Sequence, residues 1–532
     1  MKHARKQLAF SEKEREEQTV VAERKNKIGI VVAGLLLAIL MASMDNTIVA
    51  TAMGNIVGEL GGLDKFVWVT SAYMVAEMAG MPIFGKLSDM YGRKRFFVFG
   101  LIVFMIGSML CGTASTITEL SLYRAIQGIG AGALIPTSFT IMFDAVPVQS
   151  RGKLGGLFGA VFGLSSIFGP LLGAYITDHI AWEWIFYINL PLGIIALCMI
   201  AFFYKESHEH SKQPIDWIGA ITLIGAVVCL MFALELGGKE FPWASVQIIG
   251  MFAASALLLA IFLYAETKAK EPIITYALFK KRIYSTSILT SFFSGAAFIV
   301  ASVYIPIFIQ GVLGGSATNS GLVLLPMMVA SVVTATLGGF LMTKIPYRNI
   351  MVGTFSLLVI GIFLATTLDS DSSRLEVTLY MILIGLGIGA SFSVLSNAAI
   401  HGIPARQRGT ASSTLNFIRS LGMTVGITVF GIVQSNLFVR KMNEAFEASG
   451  IDGGATMGSG DSRELLQPEM RAQIPPDILD LITASLSSSI TFTFVLAIVP
   501  AGLALAVAFF MGSSKLDPAT AEGGEYSGGS GH

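Results

Sequence analysis

Long apolar stretches alternate with short polar breaks along almost the whole chain. They cover 28–53, 66–87, 96–115, 119–145, 153–177, 184–204, 215–236, 245–265, 283–312, 317–343, 349–368, 375–402, 409–435 and 485–512. Each reaches the roughly 20 residues that a helix needs to cross a ~30 Å hydrocarbon layer. A helix closes its own backbone hydrogen bonds, so stretches of this kind predict membrane helices. The expected fold is an all-α membrane protein with fourteen transmembrane helices. An even number places both termini on one side. One connection, 436–484, is too long for an ordinary loop. Its Gly/Ser/Asp centre and the run Pro475-Pro476-Asp477-Ile478-Leu479-Asp480-Leu481 predict two short amphipathic helices on the outer face.

Composition narrows the class. Of 532 residues 53% are hydrophobic and 13% charged, against about 25% charged in soluble domains. A cytosolic enzyme is excluded, and the balance of 35 Lys+Arg against 35 Asp+Glu gives no basic surface for nucleic acid. The polar start Met1–Lys27 leaves no cleavable leader. Cys111, Cys198 and Cys229 lie singly in apolar runs and read as buried free thiols. His208 and His210 have no further ligand at metal spacing, so no metal is expected. Gly385-x-Gly387 lies inside a membrane stretch and is no phosphate cradle, so neither a nucleotide nor another cofactor is expected.

Orientation follows from the cationic residues. With both termini inside, 26 of the 35 Lys and Arg fall on inner segments, seven on outer loops, and Arg124 and Arg419 within spans. The positive-inside rule therefore places both termini in the cytoplasm of a multi-pass plasma-membrane protein. All five tryptophans (Trp68, Trp182, Trp184, Trp217, Trp243) stand at span ends, where the headgroup layer suits an indole.

The chain also repeats itself. Val146-Pro147-Val148-Gln149-Ser150-Arg151-Gly152 after span 4 matches Ile403-Pro404-Ala405-Arg406-Gln407-Arg408-Gly409 after span 12, at an offset of 257. The loop from Gly85 after span 2 has a weaker copy from Gly339 after span 10, at an offset of 254. Loops on the same side of the membrane imply a parallel repeat. Halves displaced by eight spans leave two extra helices between them. The predicted order is an N-terminal tail over 1–27, a six-helix bundle over 28–204, and two inserted helices with linkers over 205–282. A second bundle follows over 283–512, with the outer loop 436–484 inside it, and then a C-terminal tail over 513–532.

Charge inside a span costs at least ~2.5 kcal/mol, so it needs a partner or a wet cavity. Asp45 lies roughly 25 Å along span 1, and Arg124 starts span 4 from the same outer half, so the two are placed to meet. Glu77 lies near mid-bilayer in span 2 with no cation within one turn, which suits a proton carrier or an attractor of cationic cargo; a lipid-facing neutral Glu is the alternative. Tyr73, Asn397 and Asn416 are polar candidates for a substrate wall. Arg419 either faces Asp89 or lines the inner vestibule.

The motifs themselves point to a family. Gly85-Lys86-Leu87-Ser88-Asp89-Met90-Tyr91-Gly92-Arg93-Lys94-Arg95 resembles the signature cytoplasmic loop of the major facilitator superfamily. Met90 stands where the family often has Arg, which removes one charge pair, and Thr343 replaces the Asp in the second copy. Gly163 and Gly169-Pro170-x-x-Gly173 resemble the antiporter motif of its drug:proton exchangers, with Ala174 in place of the closing glycine. Arg124-Ala125-Ile126-Gln127-Gly128 and Asp45-Asn46-Thr47 resemble motifs linked there to proton transfer. Trp182-Glu183-Trp184-x-Phe186-x-x-Asn189-x-Pro191 is similar to a further motif but carries Glu183 for Arg, so no role passes to Glu183. Asp216-Trp217-x-Gly219 and Glu266 with Glu271-Pro272-Ile273 resemble the fourteen-span subgroup.

The resemblance implies two six-helix bundles with a central site at their interface. It implies a monomer that uses the proton gradient and needs no cofactor. Asp45, Glu77 and Arg124 would couple protons, and Gly85, Asp89, Gly92, Arg93 and Asp144 would form a cytoplasmic gating cluster. The cargo would be a hydrophobic or cationic small molecule exported as a multidrug substrate. A narrower cargo (a tetracycline-like chelate, a lipid or a metabolite) and a non-transporting receptor remain as alternatives.

Overall fold

A computed structural model describes residues 2–61, 65, 67–146, 151–206, 215–238, 240–315, 317–448 and 474–516. Helices account for nearly all of them, and no strand longer than an isolated bridge occurs among the described residues. In chain order they are α1 (Lys2–Leu60), α2 (Val67–Tyr91), α3 (Arg93–Cys111), α4 (Ile117–Ala145), α5 (Arg151–His179), α6 (Trp184–Tyr187) and α7 (Asn189–Phe203). Then come α8 (Trp217–Leu236), α9 (Val246–Lys268), α10 (Tyr276–Phe279), α11 (Arg282–Ile307), α12 (Ala317–Leu341), α13 (Tyr347–Ala365) and α14 (Arg374–Ala390). The last are α15 (Ser396–Ala399), α16 (Arg408–Ala448) and α17 (Pro476–Phe509). Short π-helical segments, Phe308–Val312 and Ser391–Leu395, continue α11 and join α14 to α15.

Twelve spans among the described residues are long and apolar enough to cross a membrane. α2 with 25 residues and α5 with 29 add the length alone. Each of the fourteen apolar stretches thus coincides with a helical segment. Every tryptophan lies within three residues of a helix start, as headgroup anchors do. Burial sorts the spans: 89% of the α4 window is buried but only 17% of the α9 window, so α4 is a core helix and α9 faces lipid along most of its surface.

Two sequence expectations change. The run Pro475–Leu481 is not a separate short helix but the start of α17, which reaches back to Pro476, and on the other flank α16 extends to Ala448. Nothing between 436 and 448 breaks the helix, and Pro475–Pro476 start α17 in the position where proline is favoured; residues 449–473 lie outside the described set. Of the three cysteines only Cys111 is buried, while Cys198 is exposed, on a helix surface that suits lipid contact. Pro147 to Ser150 of the repeat loop, His208, His210 and the C-terminal end from 517 also lie outside the described residues.

The chain packs as two compact units. One holds Met1–Glu77, Leu87–Pro147 and Gly169–Gln213; the other holds Met78–Lys86, Val148–Phe168 and Pro214–His532. In the first, α1 packs on α4 and α7, and α3 on α4 and α7. In the second, α12 and α13 pack on α14, α11 on α16 and α17, and the inserted α8 and α9 on each other. Met78 and Gly85 of α2 belong to this second unit through α16. The Thr424 hydroxyl meets the Met78 sulfur at 3.7 Å, and a Cβ on Gly85 would strike Ser413 and the Gly409 carbonyl.

The repeat recurs in the packing at the same offsets. A Cβ on Gly130 would lie 2.4 Å from the Phe104 backbone nitrogen, and one on Gly387 would lie 2.4 Å from that of Leu358. Gly128 faces the Tyr73 carbonyl and Gly132 that of Glu77; Gly385 faces the Met327 carbonyl and Gly389 that of Ser331. Gly107 abuts the Gln127 backbone as Gly361 abuts that of Ile384. Residues of the second and third spans shift by 254 and those of the fourth by 257. Glycine is required at each position because backbone, which cannot swing aside, occupies the space of a side chain. Gly385-x-Gly387-x-Gly389 is a helix-packing stripe.

Candidate functional site

The frame around Gly128, Gly130 and Gly132 brings five elements of the first unit close enough to share polar side chains. Asp45 of α1 and Arg124 of α4 form an ion pair with both side chains fully buried. Gln127, one turn after Arg124, donates from Nε2 to Asp45 Oδ1 at 2.8 Å and to Ser108 Oγ of α3 at 2.7 Å. Asn189, the first residue of α7, donates to the same Asp45 oxygen at 2.9 Å and to Ser108 Oγ at 3.1 Å. Arg124 donates further to Gln127 Oε1 at 2.6 Å, Asn46 Oδ1 at 3.1 Å and the Val69 carbonyl at 3.3 Å. Its guanidinium carbon lies 4.1 Å from the centroid of the Tyr73 ring.

Asp45 therefore accepts from three side chains, and the Arg124 fork is spread over a carboxylate, two amides and a carbonyl. A buried charge pair is tolerated when most of its donors and acceptors are met; here Arg124 makes four hydrogen bonds and Asp45 accepts three. The network is closed, with Asp45 only 1% and Arg124 0% exposed. Tyr73 is fully buried and its hydroxyl donates to the Ala42 carbonyl at 3.3 Å. Its ring, expected in the substrate wall, lies over Arg124.

Glu77 is one turn beyond Tyr73 on α2. It is partly exposed, and no hydrogen bond or ion pair reaches its carboxyl among the described residues. Asn397 and Asn416, the other expected wall groups, are buried and turn back on their own helices. Asn397 donates to the Ser393 carbonyl at 2.8 Å and Asn416 to the Ser412 carbonyl at 3.0 Å. Asn397 Oδ1 lacks a hydrogen-bond partner among the described residues.

The loop motif builds a second cluster. Gly92 adopts φ 113°, open to glycine, and turns α2 sharply into α3. That turn puts Arg93 at the start of α3, where Nη2 donates to Asp89 Oδ1 at 3.1 Å and Nη1 pairs with Asp144 at the end of α4. The Arg93 amide also donates to the Glu206 carboxylate, which follows α7. Asp89, Arg93 and Asp144 thus meet in one cluster. In the antiporter stretch, Gly169 and Gly173 lie against Thr47 and Thr51 of α1, two and six residues past Asp45. The surroundings of Gly163 are outside the described side chains.

The second copy holds different contents in the same register. Met327 stands for Tyr73, Met381 for Arg124 and Ile384 for Gln127, all three fully buried. Tyr347 stands for Arg93 and His401 for Asp144, and the two still touch: Tyr347 Oη and His401 Nδ1 are 3.3 Å apart.

A family model described as Major Facilitator Superfamily matches residues 35–427. The chain belongs to the major facilitator superfamily. As a member of this transporter superfamily it is a multi-pass membrane protein and not an enzyme. Multidrug resistance protein 3 of Bacillus subtilis (strain 168) is 54% identical over 490 residues, covering 91% of this chain and 95% of that protein. Multidrug transporter protein MdtP of the same organism is 35% identical over 517 residues, covering 94% and 96%. Among solved structures, the superfamily's proton:xylose symporter XylE aligns with a TM-score of 0.57 at 14% identity, over 90% of this chain and 95% of that one. At that identity the likeness is one of fold.

The linear pattern pairs Asp45 with Arg124 but marks no role for Ser108 or Asn189. The one signal it holds is a polar residue inside an apolar run, Asn189 within Asn-x-Pro.

Proposed function

We propose that this major facilitator protein is a proton-coupled antiporter that exports amphipathic compounds, cations among them, across the cytoplasmic membrane. The observation that carries this reading is the sealed Asp45–Arg124 network, present in one copy of a frame whose other copy packs around Met327, Met381 and Ile384. A frame that is complete with apolar residues does not need a buried ion pair to fold, so the pair is kept for another purpose. The names of its relatives, a multidrug resistance protein and a multidrug transporter, supply the cargo class.

Protonating Asp45 would remove the charge that compensates Arg124. The guanidinium, held between Asp45 and the Tyr73 ring, must then find another acceptor, and α1, α2 and α4 must rearrange with it. Glu77 is an open carboxyl one turn beyond Tyr73 and can take either a proton or the positive charge of the cargo. Competition for one carboxyl is the elementary step of antiport. A proton enters from outside, displaces the drug, and leaves inward as the carrier resets. Both termini are cytoplasmic in this reading. The Arg93–Asp89–Asp144 cluster steadies the outward-open state, and the monomer draws on the proton gradient without a cofactor.

The test uses purified protein in liposomes with an inward-directed proton gradient and a pH-sensitive dye. Lipophilic cations and neutral analogues are added to the parent, Asp45→Asn and Glu77→Gln. Cation-dependent proton flux in the parent that collapses in both variants is expected. Flux unchanged in both would overturn the coupling assignment, and flux with one narrow chemical class alone would overturn the multidrug cargo.

A further inference from the structure

Arg419 of α16 is a buried cation that the proposed coupling leaves unused. It is 8% exposed. Its Nε donates to Ser291 Oγ at 3.2 Å, its Nη2 to the Ser391 carbonyl at 3.3 Å, and its guanidinium carbon lies 4.9 Å from the centroid of the Phe392 ring. All three partners are neutral. No carboxylate and no further hydrogen bond reaches it among the described residues. A guanidinium has five N–H donors and does not lose its proton in proteins. Three donors and the full charge are therefore left over, inside a membrane span where uncompensated charge is costly.

The side chain is held in place. A Cβ on Gly295 of α11 would lie 2.7 Å from the Arg419 carbonyl and 3.4 Å from its Cγ, so the α11 backbone presses on the stem. Ser391 opens the π-helical turn Ser391–Leu395, a kind of irregularity that recurs at functional sites. The head of Arg419 is thus held between α11 and a widened turn, with two N–H groups on Nη1 and one on Nη2 left over. Guanidinium donors of this kind suit a carboxylate.

We infer that Arg419 is a binding site for a small anionic group, with the chemistry shared by a carboxylate and a halide. Resting on the transport reading above, this widens the cargo from cations to amphipaths that carry a carboxylate, zwitterions included. The anion comes either from the cargo or from inorganic chloride.

The experiment measures equilibrium binding to the full chain in nanodiscs, with no gradient. The probes are three fluorescent aromatics alike except for one substituent: a carboxylate, its neutral methylamide and a trimethylammonium. They are compared on the parent, Arg419→Gln and Arg419→Lys. Carboxylate binding is expected to weaken about tenfold in Arg419→Gln and less in Arg419→Lys, with the other two probes unchanged. Replacing chloride with bulky gluconate separates the sources. If chloride occupies the site, its removal lowers the parent's thermal midpoint and tightens the carboxylate probe; if the cargo's carboxylate is the occupant, neither changes. Equal loss for all three probes would make Arg419 a packing residue and overturn the proposal, as would an unaffected carboxylate probe. If Arg419→Gln does not fold, Arg419→Lys and the parent's chloride dependence decide. Proton flux with the cationic probe, kept in Arg419→Gln and lost in Asp45→Asn, would leave the transport reading standing whichever way the anion result falls.

Discussion

In the first copy of the repeat, the space beside Gly128, Gly130 and Gly132 is shared by Tyr73, Arg124 and Gln127; in the second, Met327, Met381 and Ile384 stand in the same register beside Gly385, Gly387 and Gly389. The glycine contacts are nearly superposable, down to the backbone atom each would strike. Close approach of helices in a membrane is set by small residues, and these two frames show that it is indifferent to what fills the remaining volume. The same holds at the loop motif, where Arg93–Asp144 in one copy corresponds to Tyr347–His401 in the other. An ionic and a neutral pair occupy equivalent places, so the frame needs the glycines but not the charges.

The greatest loss should follow from removing half of the charged pair. Asp45→Asn leaves Arg124 buried without its carboxylate, which costs about 3–5 kcal/mol, and thermal unfolding of the purified protein should show a clear fall in midpoint together with lost proton flux. Adding Arg124→Met, the residue of the second copy, should recover most of that midpoint while flux stays absent. A double variant as unstable as the single, or one that still couples, would end the equivalence of the two frames.

A smaller loss is expected from the frame itself. Alanine at Gly128 would place a Cβ 2.3 Å from the Tyr73 carbonyl oxygen, and at Gly385 2.1 Å from that of Met327. Both obstacles are backbone, so each variant should lose about 1–3 kcal/mol from overpacking, and the two should lose alike. Unequal melting shifts for Gly128→Ala and Gly385→Ala would show that the copies do not bear the same load.

The neutral pair should matter least. Tyr347→Phe removes one hydrogen bond and keeps the ring against His401, 5.5 Å between centroids. A loss of about 1 kcal/mol is expected, below that of Arg93→Gln, which takes the guanidinium away from two buried carboxylates, Asp89 and Asp144. Urea or thermal titration of the two variants in one detergent orders them.

Much of the site is legible in the linear pattern. Asp45 and Arg124 declare themselves because a charge in an apolar run is costly and needs a partner, and their depths along spans 1 and 4 agree. Asp89, Arg93 and Asp144 are placed by resemblance, and the Gly92 turn explains why they meet. The fate of Tyr73 is not legible there. A tyrosine in an apolar run serves equally as a wall or as a lid over a cation, and only the rotation of α2 against α4 puts its ring over Arg124. The same limit applies to Asn397 and Asn416, whose amides satisfy carbonyls one turn back.

The fourteen apolar stretches, the repeat with its two offsets and the loop turn at Gly92 are written in the chain alone, because hydropathy, glycine spacing and backbone freedom are local properties. Packing in three dimensions adds that Ser108, Gln127 and Asn189 join Asp45 in one closed network, that Glu77 stays open beside it, and that Arg419 has neutral partners. Those outcomes depend on the azimuth of each helix about its own axis, which tight glycine contacts set and the linear pattern does not contain.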